Sequence, residues 1–532
     1  MAAQYTKEQL DTLDKEVIIQ LFLLQQNQLE EIDRKLQTVL EQVAVLNRRS
    51  FGRSSEKSEV DNQIAFMEVD GTIVFFNEAE AVASQEETEE ERTKSAPKKV
   101  KGKKAADIKD LPVVMVEHKM TEEELTAEFG ENGWYQLEDE VYSRYRFTPA
   151  KVEIEEHHVG VYKSRKDDHF KKADHPGYLF RNSLVSPSLE AAVINAKYVN
   201  AVPLYRQEKE FERYGVPITR AQMARWTILV AERYLSILYD YLHQNIYHYH
   251  VLQADETPVR VTKENRTEGS THYMWVYRTS GMSGGNQIIL YEYQPTRKAN
   301  HPREFLKGFS GICVTDGYQV YHTIENQRED LKIAGCWAHA RRRFDEAVRA
   351  LPKSSRKLSI ANLALNMIRA IYREEGKLKD MEPKERLLHR QLTVMPLVDA
   401  YFAWLKKNRN KIPPKGKTAE GFSYSLNQEK YLRVFLEDGE VPMDNNFAEQ
   451  SIRGFCIGKK NWVMIDTIAG AESSAIIYSI AETAKANNLK PYDYFEYLLT
   501  EIPKHMEDHD TSFCEDLLPW SEKLPDNCRK TF

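Results

Sequence analysis

Cysteine is the first scarcity of this chain. There are five in 532 residues (Cys313, Cys336, Cys456, Cys514 and Cys528), none before residue 313 and no Cys-x-x-Cys pair. A disulfide scaffold is thereby excluded, and reduced thiols in a cytoplasm are expected. No apolar run approaches the roughly 20 residues that span a bilayer. The N-terminus lacks the basic start and apolar core of a secretory signal. Positive charge is not in excess either. The net charge is −7, so overall charge does not by itself mark a nucleic-acid-binding chain.

What is present is a long, patterned chain. At 532 residues it exceeds one hydrophobic core and predicts roughly three or four domains. Hydrophobic residues make up 41% and charged residues 29%, the balance of a globular protein. The charge is segregated: five acids fall between Glu86 and Glu91, and six lysines between Lys94 and Lys104. Lys406 to Lys417 is a second basic run and Arg341-Arg342-Arg343 a third. A single run of this kind is usually a solvated face; three together point to contact with a phosphate backbone.

The first fifty residues carry a heptad. Ile18, Phe22, Gln25, Leu29, Ile32, Leu36, Val39, Val43 and Leu46 alternate in steps of four and three, with no glycine or proline between them. Such a seam predicts a coiled coil, with an amphipathic helix packed on its own domain as the alternative. Residues 51–110 read as a charged linker and 111–175 as a small β-rich module. Between 186 and 235 the pattern is helical. Leu189–Tyr198 and Leu204–Tyr214 are followed by a Gly215-Val216-Pro217-Ile218 turn and a helix capped by Thr219, with Arg220, Gln222 and Arg225 facing outward. This predicts a helix-turn-helix that reads DNA, or an ordinary helical hairpin.

From Tyr247 the pattern turns to α/β. Strands are predicted at 247–254, 272–278, 287–293, 311–315 and 331–335, with a helix at 299–309. Asp255 then closes the first strand and Asp316 the fourth, while Glu449 sits in the first turns of a helix. Acids at strand ends leave the core for the rim, where open α/β sheets place their sites. Three converging carboxylates repel one another unless hard cations lie between them, the logic of a two-metal phosphoryl-transfer site. Asp444 and Glu256 are rivals. Asp444 precedes the helix as a cap, and Glu256 should face away from Asp255.

These motifs resemble a transposase of the insertion sequence 66 family, nearly end to end. The matching stretches are Phe51-Gly-Arg-Ser-Ser-Glu-Lys57, Pro203-Leu-Tyr-Arg-Gln207, Ala254-Asp-Glu-Thr-Pro258, Thr315-Asp-Gly-Tyr318, Cys336-Trp-Ala-His-Ala-Arg-Arg342, Asn445-Asn446 with Glu449, Ile457-Gly-Lys-Lys-Asn-Trp462 and Leu518-Pro-Trp520. The resemblance implies a multidomain α+β protein with a ribonuclease H-like α/β core and an all-helical insertion. Before that core it implies a coiled coil, a small β-rich module and a helix-turn-helix. The expected boundaries are 1–50 for the coiled coil, 51–110 for the linker, 111–175 for a degenerate zinc-binding-like module and 176–245 for the helix-turn-helix. The core takes 246–345 and 440–490, the insertion 346–439, and a C-terminal segment 491–532. Asp255, Asp316 and Glu449 match the family's catalytic and metal-binding acids, with Mg2+ or Mn2+ as cofactor.

Two departures stand out. The family's zinc module uses paired cysteines, and residues 111–175 have none, only His118, His157, His158 and His169. Tetrahedral zinc needs four ligands, so zinc is not expected there. Gln450 and Gly454 stand where the family often has Arg and Pro. Cys336-x-x-His339 has metal-like spacing but no second pair, so zinc is not expected there either. His339 borders the site or is a buried structural histidine. Arg220, Arg225, His339, Arg341, Arg342, Arg453, Lys459 and Lys460 are the candidate DNA contacts. Trp462 is a stacking or core residue. The expected activity is metal-dependent cleavage and transfer of double-stranded DNA at terminal inverted repeats, by a homo-oligomer and possible accessory proteins of the element. The alternatives are a catalytically inactive DNA-binding relative acting as repressor or scaffold, and a stand-alone nuclease.

Overall fold

The computed structural model describes residues 66–69, 72–75, 115, 119–131, 151–163, 165, 170–174, 177–181 and 183–530, the last without 264–270 and 283. The expected coiled coil of residues 1–50, most of the linker, and His118 and His169 lie outside the described residues. Residues 52–153 belong to one unit and 154–530 to another. In the first, Phe66–Val69 pairs antiparallel with Thr72–Phe75. Helix Glu122–Phe129 starts in a capping box of Thr121 and Glu124. No helix among the described residues is long and apolar enough to cross a membrane.

In the larger unit a short antiparallel pair, Val161–Lys163 with Phe170–Lys172, precedes helices that the sequence punctuates clearly. Helix α1 (Pro187–Ile194) has Ser186 as its cap and proline at its start. Helix α2 (Leu204–Arg213) ends at Gly215, whose φ of +74° turns the chain. Helix α3 (Arg220–Val230) opens on a reciprocal Thr219–Gln222 capping box. It buries Met223, Thr227 and Val230 and exposes Arg220, Gln222 and Arg225. Helix α4 (Ser236–Ile246) leads into the sheet.

Five strands follow: β1 (Val251–Val259), β2 (His272–Thr279), β3 (Ile289–Gln294), β4 (Gly311–Thr315) and β5 (Leu331–Gly335), in the spatial order β3-β2-β1-β4-β5. The first three pair antiparallel, whereas β1, β4 and β5 are parallel. Between β4 and β5 lies helix α5 (Gln319–Glu325). Alternate residues of β1, β4 and β5 enter different cores. Leu252, Cys313 and Ile333 join one core, Val251, Val314 and Ala334 the other. Parallel strands buried on both faces need helices on both faces, and the sequence supplies them.

One face meets helices α6 (Trp337–Ala350), α7 (Ile360–Gly376), α8 (Met395–Asn408) and α9 (Lys417–Asn427), through Trp337, Phe344, Ile368, Tyr401 and Phe422. Every described element from Trp337 to Leu436 is helical. The other face is covered by α1, α4, α10 (Asn446–Trp462) and α11 (Ile468–Ala486). Helix α11 also closes the sheet's edge. Ser479 Oγ and Thr483 Oγ1 accept the β3 amides of Tyr291 (2.7 Å) and Ile289 (3.0 Å), which would otherwise invite another strand.

One expectation is corrected. Asp255 does not end its strand, because β1 starts at Val251 and continues to Val259. Tyr247–His250, β-prone by composition, instead close α4, with amides of Tyr247, His248 and Tyr249 bonded back to Gln244, Asn245 and Ile246 carbonyls. Beyond Asp255 the strand is sustained by β2, which pairs with it from Leu252 to Val259. On its parallel side pairing stops at Gln253–Val314, so only on that side does Asp255 face a strand end.

Candidate functional site

Asp255 and Asp316 flank the point where β1 and β4 part. Asp316 directly follows Thr315, and its Oδ1 accepts the Tyr318 amide at 2.9 Å, bending the chain away from the sheet. Gly317, at φ +92°, makes that bend; a Cβ there would also stand 3.1 Å from Tyr424 Oη. Tyr424 on α9 donates its hydroxyl to the Asp316 carbonyl at 2.8 Å. The helical layer therefore braces the loop that carries this acid.

Glu449 is delivered by the first turn of α10, and that turn is tied to β1. Asn445 Nδ2 donates to the Ala254 carbonyl at 2.8 Å, and Gln253 Nε2 donates to Asn445 Oδ1 at 3.2 Å. Asp444 accepts the Asn446 amide at 3.1 Å and the Tyr372 hydroxyl at 3.1 Å, one residue before the cap position, which is Asn445. Neither Gln253 nor the role of Asn445 was legible in the sequence. Their partners lie about two hundred positions away, and a buried amide leaves no periodic signal.

The electrostatics join these acids. Burial holds the Asp255 carboxyl well above its ordinary range, and the charges of Glu256, Asp316 and Glu449 push it further. Burial and Asp316 push Glu256 up to about 7, against the opposing charge of Arg297. Arg297 Nε donates to Glu256 Oε1 at 2.7 Å, and its guanidinium lies 3.9 Å from the centroid of the Tyr318 ring. Glu256, 3% exposed, is thus an acid held by an arginine. The clamp was missed because Arg297 carries no motif.

Glu449 has a different company. Its Oε2 accepts Arg342 Nη2 at 2.9 Å, and its Oε1 lies 3.7 Å from His339 Nδ1. Arg342 Nη1 is 3.4 Å from His339 Nε2. Glu449 Oε1 and His339 Nδ1 are both buried without a hydrogen-bond partner. Burial keeps the imidazole below its ordinary pKa, opposed by Asp316 and Glu449. Donor atoms of Cys336, His339 and Glu449 all lie within 4.8 Å of one another. Burial pushes the Cys336 thiol up to about 12, while amides of Asn445 (3.2 Å to Sγ) and His339 act against that shift.

The remaining candidates divide by location. Arg341 packs over Tyr372 with its guanidinium 5.6 Å from the ring. Arg453 and Lys460 are exposed along α10, and Lys459 Nζ donates to the Pro258 carbonyl at 2.7 Å. Trp462 packs edge-on against Phe455 at 5.5 Å, as a core residue does. Arg220 and Arg225 lie on α3, an element that carries none of the acids, with Arg220 over the Tyr205 ring at 5.6 Å. His157 and His158, in the module expected to lack zinc, sit beside Glu155 and Glu156 at 3.5 and 3.2 Å.

The donor set suits a hard divalent cation. Carboxylates whose charges raise Asp255 gain from a cation among them, and Glu449 Oε1 has no hydrogen-bond partner among the described residues.

Comparison with known proteins gives a consistent picture. Residues 182–473 match the family described as Transposase IS66 family, 479–520 the IS66 C-terminal element, and 39–116 the Transposase C of IS166 homeodomain. Among curated proteins, the chain is similar to Uncharacterized protein y4qI of Sinorhizobium fredii, at 28% identity over 497 residues, 90% of this chain and 88% of that one. It is also similar to Uncharacterized protein y4jD of the same organism, at 26% identity over 362 residues, 66% of this chain and 69% of that one.

Proposed function

The chain belongs to the Transposase IS66 family, and we propose that it is a DNA transposase using Asp255, Asp316 and Glu449 to cut and join DNA strands. The observation that carries this reading is placement: Asp255 and Asp316 each lie two residues beyond the last parallel pair, Gln253–Val314, and Asn445 ties the turn bearing Glu449 to β1. The spatial order β3-β2-β1-β4-β5, antiparallel and then parallel, supports a ribonuclease H-like core with residues 346–439 as its helical insertion.

Asp255 and Asp316, completed by Glu449, would hold Mg2+ or Mn2+; bound there, such a cation activates water and offsets charge developing on a phosphate. The chain's own residues do the rest. The β1–β4 junction fixes two carboxylates, and the ties from Asn445 to β1 fix the turn bearing the third. Hydrolysis at the element's end frees a 3′-hydroxyl, and attack by that hydroxyl on a target phosphodiester joins the strands and expels a target 3′-hydroxyl. Both steps are displacements at phosphorus, so one site serves both.

Helix α3, with Arg220 and Arg225 exposed, is the proposed reader of terminal repeats. Arg453 and Lys460 are proposed phosphate contacts beside the site. Self-association through residues 1–50 would pair the two ends of an element. The test uses the full chain, DNA carrying the element's ends, and magnesium. Cleavage and joining are expected in the wild type, with a loss of about a hundredfold or more in Asp255→Asn and Asp316→Asn at unchanged DNA affinity. Cleavage that survives both substitutions would sink the reading.

A further inference from the structure

Cys336 and His339 were separated by a metal-like spacing that lacked a second half. The fold supplies a third donor from another part of the chain. Helix α6 starts at Trp337, immediately after Cys336, so both residues sit at its N-terminus. Helix α10 brings Glu449 onto them, 107 positions from Arg342 on the same α6. Three chemically different donors, a sulfur, an imidazole nitrogen and a carboxylate oxygen, then lie within 4.8 Å of one another.

Two details separate this cluster from ordinary packing. Glu449 Oε1 and His339 Nδ1 face each other at 3.7 Å, too far for a good hydrogen bond, and each is buried with no other partner. Two such atoms left unsatisfied are unfavourable, and a shared cation would relieve both. The sulfur, conversely, receives backbone N–H groups from Asn445 and His339. The other Glu449 oxygen is anchored by Arg342, as ligating carboxylates usually are.

We infer that Cys336, His339 and Glu449 form a site for a zinc-class divalent cation, with the fourth position left to a water. Mixed S, N and O donors favour zinc or cobalt over magnesium, which takes oxygen ligands. Binding releases the thiol proton. It also requires the His339 proton to reside on Nε2, so the 3.4 Å contact from Arg342 Nη1 is given up; that contact is long for a charge-assisted bond. The site stands independently of the proposed transposase activity. Its consequence rests on that reading: zinc would draw Glu449 Oε1 away from the Asp255 and Asp316 side and inhibit cleavage.

The test uses the full-length chain freed of metal by chelation and titrated with cobalt(II) in excess magnesium. One equivalent should bind, with a thiolate-to-cobalt charge-transfer band and tetrahedral visible absorption, both removed by added zinc. The band should survive in Asp255→Asn, vanish in Cys336→Ser, and weaken by about a hundredfold in cobalt affinity in His339→Ala. His339 is partly exposed, so that variant keeps the test open should Cys336→Ser fail to fold. A folded wild type with no charge-transfer band, or a band that persists in folded Cys336→Ser, overturns the site. Cobalt binding as described in a protein that never cleaves DNA would uphold the site and reject the transposase reading.

Discussion

The two sides of the acidic site are built by different means. On the sheet side, Asp255 and Asp316 are positioned by backbone pairing between β1, β2 and β4, and neither takes part in an ion pair among the described residues. On the helix side, Glu449 is positioned by side chains, through Asn445, Gln253 and the arginine that holds it. The sheet side sets Asp255 and Asp316 beside each other and beside Glu256, whose charge alone is paired, to Arg297. The helix side is already neutralised by a cation. Opposite responses to mutation follow, because removing a charge relieves one side and orphans a partner on the other.

The largest effect should come from the far root of the helix side. Arg390, fully buried, donates to Glu375 at 3.1 Å and to the carbonyls of Phe435 and Asp438 at 2.8 and 2.7 Å, fixing the segment that leads into α10. Arg390→Ala leaves Glu375 and both carbonyls unpaired and should destabilise by about 3–5 kcal/mol, read by chemical denaturation. A loss below about 1 kcal/mol would mean that the helix side does not depend on this tie. Asn445→Ala comes next. It takes the Asn445 bond from the Ala254 carbonyl and leaves Gln253 Nε2 with only the Asp444 carbonyl at 3.2 Å, at about 1–3 kcal/mol. Cleavage should fall with it while DNA affinity holds, since what moves is the turn bearing Glu449.

The sheet side should respond with the opposite sign. The Asp255 carboxyl is raised in the folded protein, by burial first and then by Glu256, Asp316 and Glu449. A raised acid binds its proton more tightly folded than unfolded, so its contribution to stability declines as pH rises from about 4. Asp255→Asn removes that penalty. Its Tm should match the wild type near pH 4 and exceed it increasingly toward neutrality, and magnesium should narrow the gap by stabilising only the wild type. A gap that does not change with pH would show that Asp255 is not repelled by its neighbours.

Much of this contrast was half visible in the sequence. Hydrophobic periodicity found the strands at 272–278 and 311–315 and the helix behind Thr219 nearly where they form, because both faces of the sheet are buried and the caps are chemically explicit. Strand ends and a helix start suggested Asp255, Asp316 and Glu449, and the family resemblance favoured Glu449 over Asp444. The first strand was misjudged because Tyr247-His248-Tyr249-His250 has β-prone composition while its amides complete a helix. The pairings that give each side its character lay beyond any local pattern. Arg297 is 41 residues from Glu256, and Arg342 is 107 from Glu449. The third donor beside Cys336 and His339 was hidden for the same reason, since spacing reveals only ligands that share an element.

The smallest expected effect separates a committed cation from a free one. Arg342 is about two-fifths exposed and already bound to Glu449, so the pair is worth less than about 1 kcal/mol to folding. Arg453 is exposed on α10 and has no ion pair among the described residues. If both sites face DNA, Arg453→Gln should reduce the slope of log affinity against log salt by about 0.9, the share of one released counterion. Arg342→Gln should reduce it by less, because a phosphate must first compete with Glu449 for that guanidinium. The same competition makes the helix side responsive to DNA: a phosphate that wins Arg342 leaves Glu449 with both oxygens unclaimed by protein. Equal slopes in the two variants would show that Arg342 is as available as Arg453 and that Glu449 does not restrain it.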